Sequence, residues 1–380
     1  MMQFFINKER FIASIQDVLK AVAVRTTIPI LTGIKIDADE NGVTLTGSDS
    51  DISIRSFIPK VEDNQELVEV VKPGSIVLQA RFFSEVVKKM PGPIVELRVE
   101  DQYKTVISSG NAEFVIHGLD PEEYPRLPLL EDDVRFSIRT DLLKTFIKQT
   151  VFAVSTSETR PILTGVHWVI KNQELLGVAT DSHRLAQKKI LLEPETEELE
   201  KDIVIPGKSL NELIKVVDDR TDEFVQIAIT ENQILFQAKN LLFYSRLLEG
   251  KYPETSRLIP TDWKTTVTLD AKEFLQAVDR ASLLAREGKN NVIKFSTLTG
   301  DSVEISSYTP EIGTVQEKIN ATIKGEEIKI SFSAKYMMDA LRAIDGTEVT
   351  IYFTGPLRPF IIKTDHDESI LQLLLPVRTY

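Results

Sequence analysis

The chain has no cysteine among its 380 residues. Disulfides and thiolate metal sites are therefore excluded, which fits a reducing cytoplasm. Histidine is scarce, with four residues, and His117, His167 and His366 stand apart without metal-ligand spacing. No stretch approaches the ~20 apolar residues that would cross a bilayer. The first ten residues lack the basic-then-apolar layout of a signal peptide. Low-complexity tracts are missing as well. Positive charge is in deficit: the formal net charge is -12, which argues against simple wrapping by nucleic acid. What remains is an ordinary globular composition, long enough for two to four domains of roughly 100–150 residues.

Self-similarity organises the chain. Pro29-Ile30-Leu31-Thr32-Gly33 recurs as Pro161-Ile162-Leu163-Thr164-Gly165, and Gly47-Ser48-Asp49-Ser50 is echoed by Ala179-Thr180-Asp181-Ser182, both at an offset of 132. A second pattern spans three thirds at an offset of 127: a short apolar strand, a turn, then a helix opening at Arg81, Lys208 or Lys335. Within it an acid follows four residues later (Glu85, Glu212, Asp339) and a base seven later (Lys88, Lys215, Arg342). An earlier amphipathic helix also occurs in each third. It is marked by Phe11, Ile12, Ile15, Val18, Leu19 and Val22; by Leu143, Ile147, Val151 and Val154; and by Phe274, Leu275, Val278 and Ala281. Asn7, Thr140 and Asp270 are the expected N-caps. Alternating runs such as Ile52/Ile54/Ile58, Val95/Leu97/Val99 and Val267/Leu269 read as strands. The expected fold is α+β: three tandem copies of a two-helix, antiparallel-sheet domain, spanning 1–129, 130–260 and 261–380.

Three segments of the chain resemble catalytic or metal-binding patterns. Gly207-Lys208-Ser209 resembles the end of a phosphate-binding loop, but position 202 is Asp where the motif needs Gly. Asp49 and Asp51 lack companion ligands and read as loop acids. Asp181-Ser182-His183 has the residue types of a triad, but sequence neighbours rarely form one. Trp168 and Trp263 are expected in core or linker packing. No catalytic group, metal or cofactor is expected.

Charge is divided between structural elements. The six expected helices, taken as 8–25, 81–89, 140–150, 208–220, 271–289 and 335–342, hold 18 Lys and Arg against 11 Asp and Glu, leaving -19 elsewhere. These charges also suit i,i+3 and i,i+4 pairs on solvated helices. Converging on one surface, they would form a basic face. Helices pack about 8–10 Å apart, so six in a circle leave no room for a duplex about 20 Å across. Twelve leave a hole of roughly 30 Å. Two chains would then be needed, head to tail, with Lys and Arg meeting phosphates rather than bases. A nuclease or nucleotidyltransferase and a rigid peptide-binding scaffold are the competing readings.

Along its whole length the sequence resembles the bacterial DNA polymerase III beta subunit family, the sliding clamps, in its Gram-positive form. The most specific segments are Arg25-Thr26-Thr27-Ile28-Pro29-Ile30-Leu31-Thr32-Gly33, Ala179-Thr180-Asp181-Ser182-His183-Arg184-Leu185-Ala186 and Leu374-Leu375-Pro376-Val377-Arg378. The resemblance implies a non-catalytic processivity factor: a homodimeric ring around double-stranded DNA, opened by a clamp loader. It would tether the alpha subunit of the replicative polymerase and other proteins bearing clamp-binding motifs, away from any membrane. It implies a peptide pocket walled by Leu163, Thr180, His183, Arg184, Leu185, Pro253, Arg257, Leu258, Tyr336, Leu357, Leu374, Leu375, Pro376, Val377 and Arg378. It implies DNA contacts at Arg25 and Arg81, and a dimer contact pairing Phe114 and Ile116 with Leu283 and Leu284. These last four residues read equally well as ordinary core. Two departures are Ser182, where the family often has Gly, and the ending Thr379-Tyr380. An aromatic that lines the pocket in some members has no match near Lys289-Asn290.

Overall fold

The computed structural model describes residues 2–127, 134–196, 198–217, 224–286, 291–310, 312–344 and 346–378. Among them are six α-helices: α1 (Lys8–Leu19), α2 (Ala80–Lys89), α3 (Thr140–Lys148), α4 (Gly207–Val216), α5 (Ala271–Ala285) and α6 (Ala334–Ala343). Two of the three expected caps hold. Asn7 accepts the Arg10 N–H at 3.1 Å and Asp270 accepts the Glu273 N–H at 2.7 Å. Thr140 is instead the first helical residue of α3. The expected helical runs are also shorter than their apolar spacing. Val22 lies beyond α1, Val151 falls in the 3-10 turn Val151–Ala153, and Val154 follows that turn. After α3 the Thr150 hydroxyl donates to the carbonyls of Phe146 at 2.9 Å and Ile147 at 3.2 Å. It thereby satisfies last-turn acceptors that a continuing helix would have used.

The chain divides into two compact units. The first comprises Met1–Asp141 and Glu212–Leu247. Its five-stranded sheet runs, edge to edge, Ala112–His117, Lys104–Ser109, Ile94–Val99, Met2–Asn7, Val68–Lys72. Its eight-stranded sheet joins Ile52–Pro59 of the first repeat to Leu241–Arg246 of the second, with Leu241 opposite Ser56 and Ser245 opposite Ile52. Helices α1 and α2 pack together through Phe11 and Phe83, whose rings meet edge to face at 5.5 Å. Gly47 is required beneath α1: a Cβ there would lie 2.3 Å from the Val18 carbonyl oxygen.

The second unit comprises Leu142–Asn211 and Leu248–Tyr380. Its nine-stranded sheet joins Arg184–Leu191 of the second repeat to Asp367–Leu374 of the third, Arg184 facing Leu374 and Lys188 facing Ile370. Its four-stranded sheet ends on Gly313–Asn320 at one side and Lys329–Ser333 at the other. Helices α5 and α6 pack on a core that includes Phe274, Val278, Met337, Phe295, Phe332, Phe353 and Phe360, all fully buried. The second repeat thus gives strands to both long sheets, and each repeat boundary within the chain is bridged by a continuous backbone ladder.

The repeats agree in three dimensions. Phe11, Leu143 and Phe274 are equivalent, as are Ile15, Ile147 and Val278, and all six are fully buried. Five residues further along, the equivalent positions are Lys20, Phe152 and Leu283.

Candidate functional site

The turn between strands Glu174–Thr180 and Arg184–Leu191 is built by Asp181. Its Oδ1 accepts the N–H groups of His183 at 2.9 Å and Arg184 at 3.1 Å. Thr180 Oγ1 accepts the Ser182 N–H and donates to the Arg184 carbonyl at 2.6 Å. The chain closes this turn with Ser182 at φ 76°, the left-handed region that glycine enters without penalty. The first repeat makes the same turn. Asp49 accepts from Asp51 and Ile52 at 3.1 and 2.8 Å, with Ser50 at φ 81°. Both Asp-containing motifs are therefore turn structures. The second copy differs in placing Arg184 where the first has Ile52.

Arg184 is 7% exposed and every side of its guanidinium is engaged. Nε donates to Asp181 Oδ2 at 3.0 Å, Nη1 to Asp339 Oδ2 at 2.7 Å, and Nη2 to the Phe152 carbonyl at 2.7 Å. The Tyr336 and Phe152 rings lie 4.4 and 5.3 Å from its central carbon. His183 is exposed and stacks near-parallel to Tyr336 at 6.3 Å. Burial, reinforced by the negative charges of Asp181 and Asp339, raises the Tyr336 phenol above the ordinary tyrosine range despite Arg184. Tyr336 is therefore a neutral donor at physiological pH.

An apolar floor adjoins this cluster. Leu163, Leu185, Leu371, Leu373 and Tyr252 are buried together, with Ile162, Ile259 and Leu375 partly exposed against them. Tyr252 accepts the Thr180 N–H at 3.1 Å through its hydroxyl, and its ring stacks on His167 at 4.7 Å. Burial lifts its phenol far above the ordinary range, so it stays uncharged. His167 in turn bonds Asp202 at 2.7 Å.

The C-terminal segment leaves the nine-stranded sheet at Leu374, which is 1% exposed. The Leu375 N–H donates to the His183 carbonyl at 2.9 Å and the Val377 N–H to the Ser331 carbonyl at 2.7 Å. Leu375, Pro376 and Val377 are half-buried and Arg378 is exposed. On the rim, Leu258 and Leu357 are 52% and 60% exposed. Pro253 is exposed too, and Arg257 pairs with Glu254 at 3.2 Å. The structure thus gathers Leu163, Thr180, Leu185 and Leu375 on the floor side and His183, Arg184 and Tyr336 in one stacked cluster. Arg257 and Leu258 stand on the neighbouring 3-10 turn Ser256–Leu258, Pro253 precedes it, and Ile259 just after it, rather than Leu258, packs on the floor.

Phe152, Tyr252, Ile259 and Asp339 belong to this site and were missed by sequence reasoning. Tyr252 had a signal in the repeat. Tyr124, 128 positions earlier, is likewise buried, its hydroxyl donating to the Thr46 carbonyl at 3.4 Å. Asp339 looked like a partner for its own helix, as Glu85 and Glu212 are for Lys88 and Lys215 at 3.4 and 2.8 Å; it turns to Arg184 instead.

Arg25 lies in the loop after α1 and Arg81 in the first turn of α2; both are exposed, with no ion pair among the described residues. Phe114 and Val115 are 43% and 47% exposed on the edge strand Ala112–His117, Ile116 is half-buried, Leu283 is 62% exposed and Leu284 partly so. The core reading of Phe114 and Leu283 therefore falls. Lys289-Asn290 lies outside the described residues. Among the described residues no three acids or histidines are grouped to hold a metal, and no helix is long and apolar enough to cross a membrane.

Models of the DNA polymerase III beta subunit match three successive segments: its N-terminal domain at residues 2–128, its central domain at 137–254 and its C-terminal domain at 256–378. The beta sliding clamp of Bacillus subtilis (strain 168) is 61% identical, with 100% of both chains covered. That of Staphylococcus aureus (strain N315) is 52% identical with the same coverage. The crystal structure of the Bacillus subtilis DNA polymerase sliding clamp superposes with a TM-score of 0.97 at 61% identity over 100% of both chains. The Streptococcus pneumoniae DNA polymerase III beta chain does so at 0.95 and 41%, again over 100% of both. Three repeats with two helices each, joined by shared antiparallel sheets and matched from end to end, mean that the chain belongs to the DNA polymerase III beta subunit family, the non-catalytic beta sliding clamps.

Proposed function

We propose that two copies of this chain close head to tail around double-stranded DNA. The ring would be set on DNA by a clamp loader, and would hold the alpha subunit of the replicative polymerase and other proteins with clamp-binding motifs. The observation that carries this reading is an unfilled join. The third strand of the closing meander in the second repeat, Leu241–Arg246, pairs with Ile52–Pro59 of the first. Its counterpart in the third repeat, Asp367–Leu374, pairs with Arg184–Leu191 of the second. The remaining pair in the series, Ala112–His117 and Gly313–Asn320, are both sheet edges among the described residues. An exposed edge bearing Phe114 and Val115 invites a partner strand. Leu283, equivalent to Lys20 and Phe152, supports the same contact, because those residues reach the neighbouring repeat. Lys20 donates to the Lys215 carbonyl of the second repeat at 3.0 Å, and Phe152 lines a cleft shared with Asp339, Arg342 and Ala343 of the third.

Arg25 and Arg81 are available cations for phosphates, without base recognition. The floor of Leu163, Leu185 and Leu375 beside the Arg184–Tyr336–His183 cluster suits an extended peptide with apolar anchors. Leu374 and Thr180 are buried next to that floor in sequence, and Pro253, Arg257, Leu258, Leu357, Pro376, Val377 and Arg378 would form its rim.

The encirclement test loads the protein on nicked circular DNA, raises the salt and linearises the circle. Retention on circles with release from linear DNA is expected; equal release from both would sink the ring. For the pocket, deletion of 375–380 should abolish binding of a clamp-motif peptide while sedimentation still reports a dimer. Unchanged peptide affinity would refute the assignment.

A further inference from the structure

Alongside the tail lies a groove of about 460 Å³. Its walls combine Ile330, Leu357 and Val377 with three cations, Lys294, Lys329 and Arg378. Lys294 faces Ser331 and Lys329 faces Ser296 across the pair of strands Val292–Leu298 and Lys329–Ser333. The two lysines therefore project from the same face of that sheet. The Val377 bond to Ser331 pins the tail along this strand, so Leu357, Val377 and Arg378 are common to the groove and to the proposed peptide rim. Some exposed lysines elsewhere in the second unit find acids, among them Lys171 with Glu200, Lys189 with Glu174 and Lys264 with Glu326. Lys294, Lys329 and Arg378 make no ion pair among the described residues. Three unpaired cations around an apolar base are notable in a chain of net charge -12.

We infer that this groove is a subsite for acidic residues flanking the docked peptide, with carboxylates on Lys294, Lys329 and Arg378 and an apolar side chain against Leu357 and Val377. The inference rests on the peptide-pocket reading above. A duplex about 20 Å across is too wide to enter such a groove, whereas its volume suits a short peptide stretch.

The test uses the full-length dimer and two fluorescent peptides with identical apolar anchors, one flanked by an Asp-Glu pair and the other by Ser-Ser. At low salt the acidic peptide should bind about three- to tenfold tighter, as expected for one or two exposed ion pairs. That advantage should shrink as ionic strength rises. It should vanish in a Lys294→Ser, Lys329→Ser variant, whose affinity for the neutral peptide should match wild type. An advantage that is absent in wild type, or that survives in the variant, overturns the subsite while leaving the pocket intact. Failure of both peptides to bind overturns both. Displacement of the acidic peptide alone by a single-stranded oligonucleotide would reassign the groove to nucleic acid.

Discussion

Arg184 and Asp339 are 155 residues apart in sequence and meet at 2.7 Å. The pair ties the second repeat to helix α6 of the third, with side chains 8% and 23% exposed. Asp339→Asn keeps the shape and removes the charge facing a buried guanidinium. Thermal or urea unfolding should reveal a loss of about 1–3 kcal/mol, the usual cost of leaving a buried polar partner unsatisfied. Peptide affinity should fall because Tyr336 and His183 are stacked on this cluster. Combining Asp339→Asn with Arg184→Ala should cost less than the sum of the two changes. Strict additivity would mean that the two side chains act independently.

Leu283 and Phe114 are exposed apolar residues, so changing them should leave the fold of each chain intact. Leu283→Asp or Phe114→Asp should raise the dimer dissociation constant by roughly a hundredfold, reflecting about 2–3 kcal/mol of lost apolar burial. Sedimentation at micromolar concentration should then find the half-mass species with an unaltered circular dichroism spectrum. An unaltered dimer would remove these residues from the interface.

Ser182 sits at φ 76° and its side chain is exposed. Ser182→Gly removes the Cβ that disfavours this conformation, offset in part by glycine's greater freedom when unfolded. A net gain of about 0.5 kcal/mol is expected, whereas Ser182→Ala should give none. A midpoint that drops in Ser182→Gly would mean that the Ser side chain contributes more than the strain removes.

Asp367 accepts from Lys188, which is 5% exposed, and from Ser369. Partial burial pushes its carboxyl up, but Lys188 and Ser369 outweigh it and hold the carboxyl below the ordinary aspartate range. A depressed carboxylate stabilises the fold above its unfolded pKa of about 4. That contribution is lost as pH falls further, through the folded value. The second unit should therefore weaken on acidification below about pH 4, and Asp367→Asn should flatten that part of the stability profile. It should also cost about 1–3 kcal/mol at neutral pH by stranding Lys188. An identical acid profile in wild type and variant would exclude the pair as a source of acid sensitivity.

Much of the architecture was legible because the repeats carry it locally. Phe11, Leu143 and Phe274 mark one face at helical spacing, and Asn7 and Asp270 announce their helices through a bond only three residues long. The extent of α3 was not legible. Val151 and Val154 continue the apolar spacing, but the Thr150 hydroxyl takes the carbonyls that the next turn would need. Strand neighbours across repeats were hidden for a different reason. A ladder such as Leu241 with Ser56 is satisfied by backbone groups that every residue carries, so side chains name no partner. Asp339 was misread because a nearby base on its own helix offered a plausible pair, whereas its actual partner is distant in sequence.

The edges Ala112–His117 and Gly313–Asn320 are different surfaces, so a contact between them is heterologous rather than self-complementary. Successive subunits added this way all point in one direction around the closure axis. In the proposed ring every C-terminal tail and every groove beside it would then stand at the same level along that axis. Such a ring of identical chains would have a front and a back, and a protein docked on it would inherit an orientation along the duplex that nothing in the duplex itself specifies.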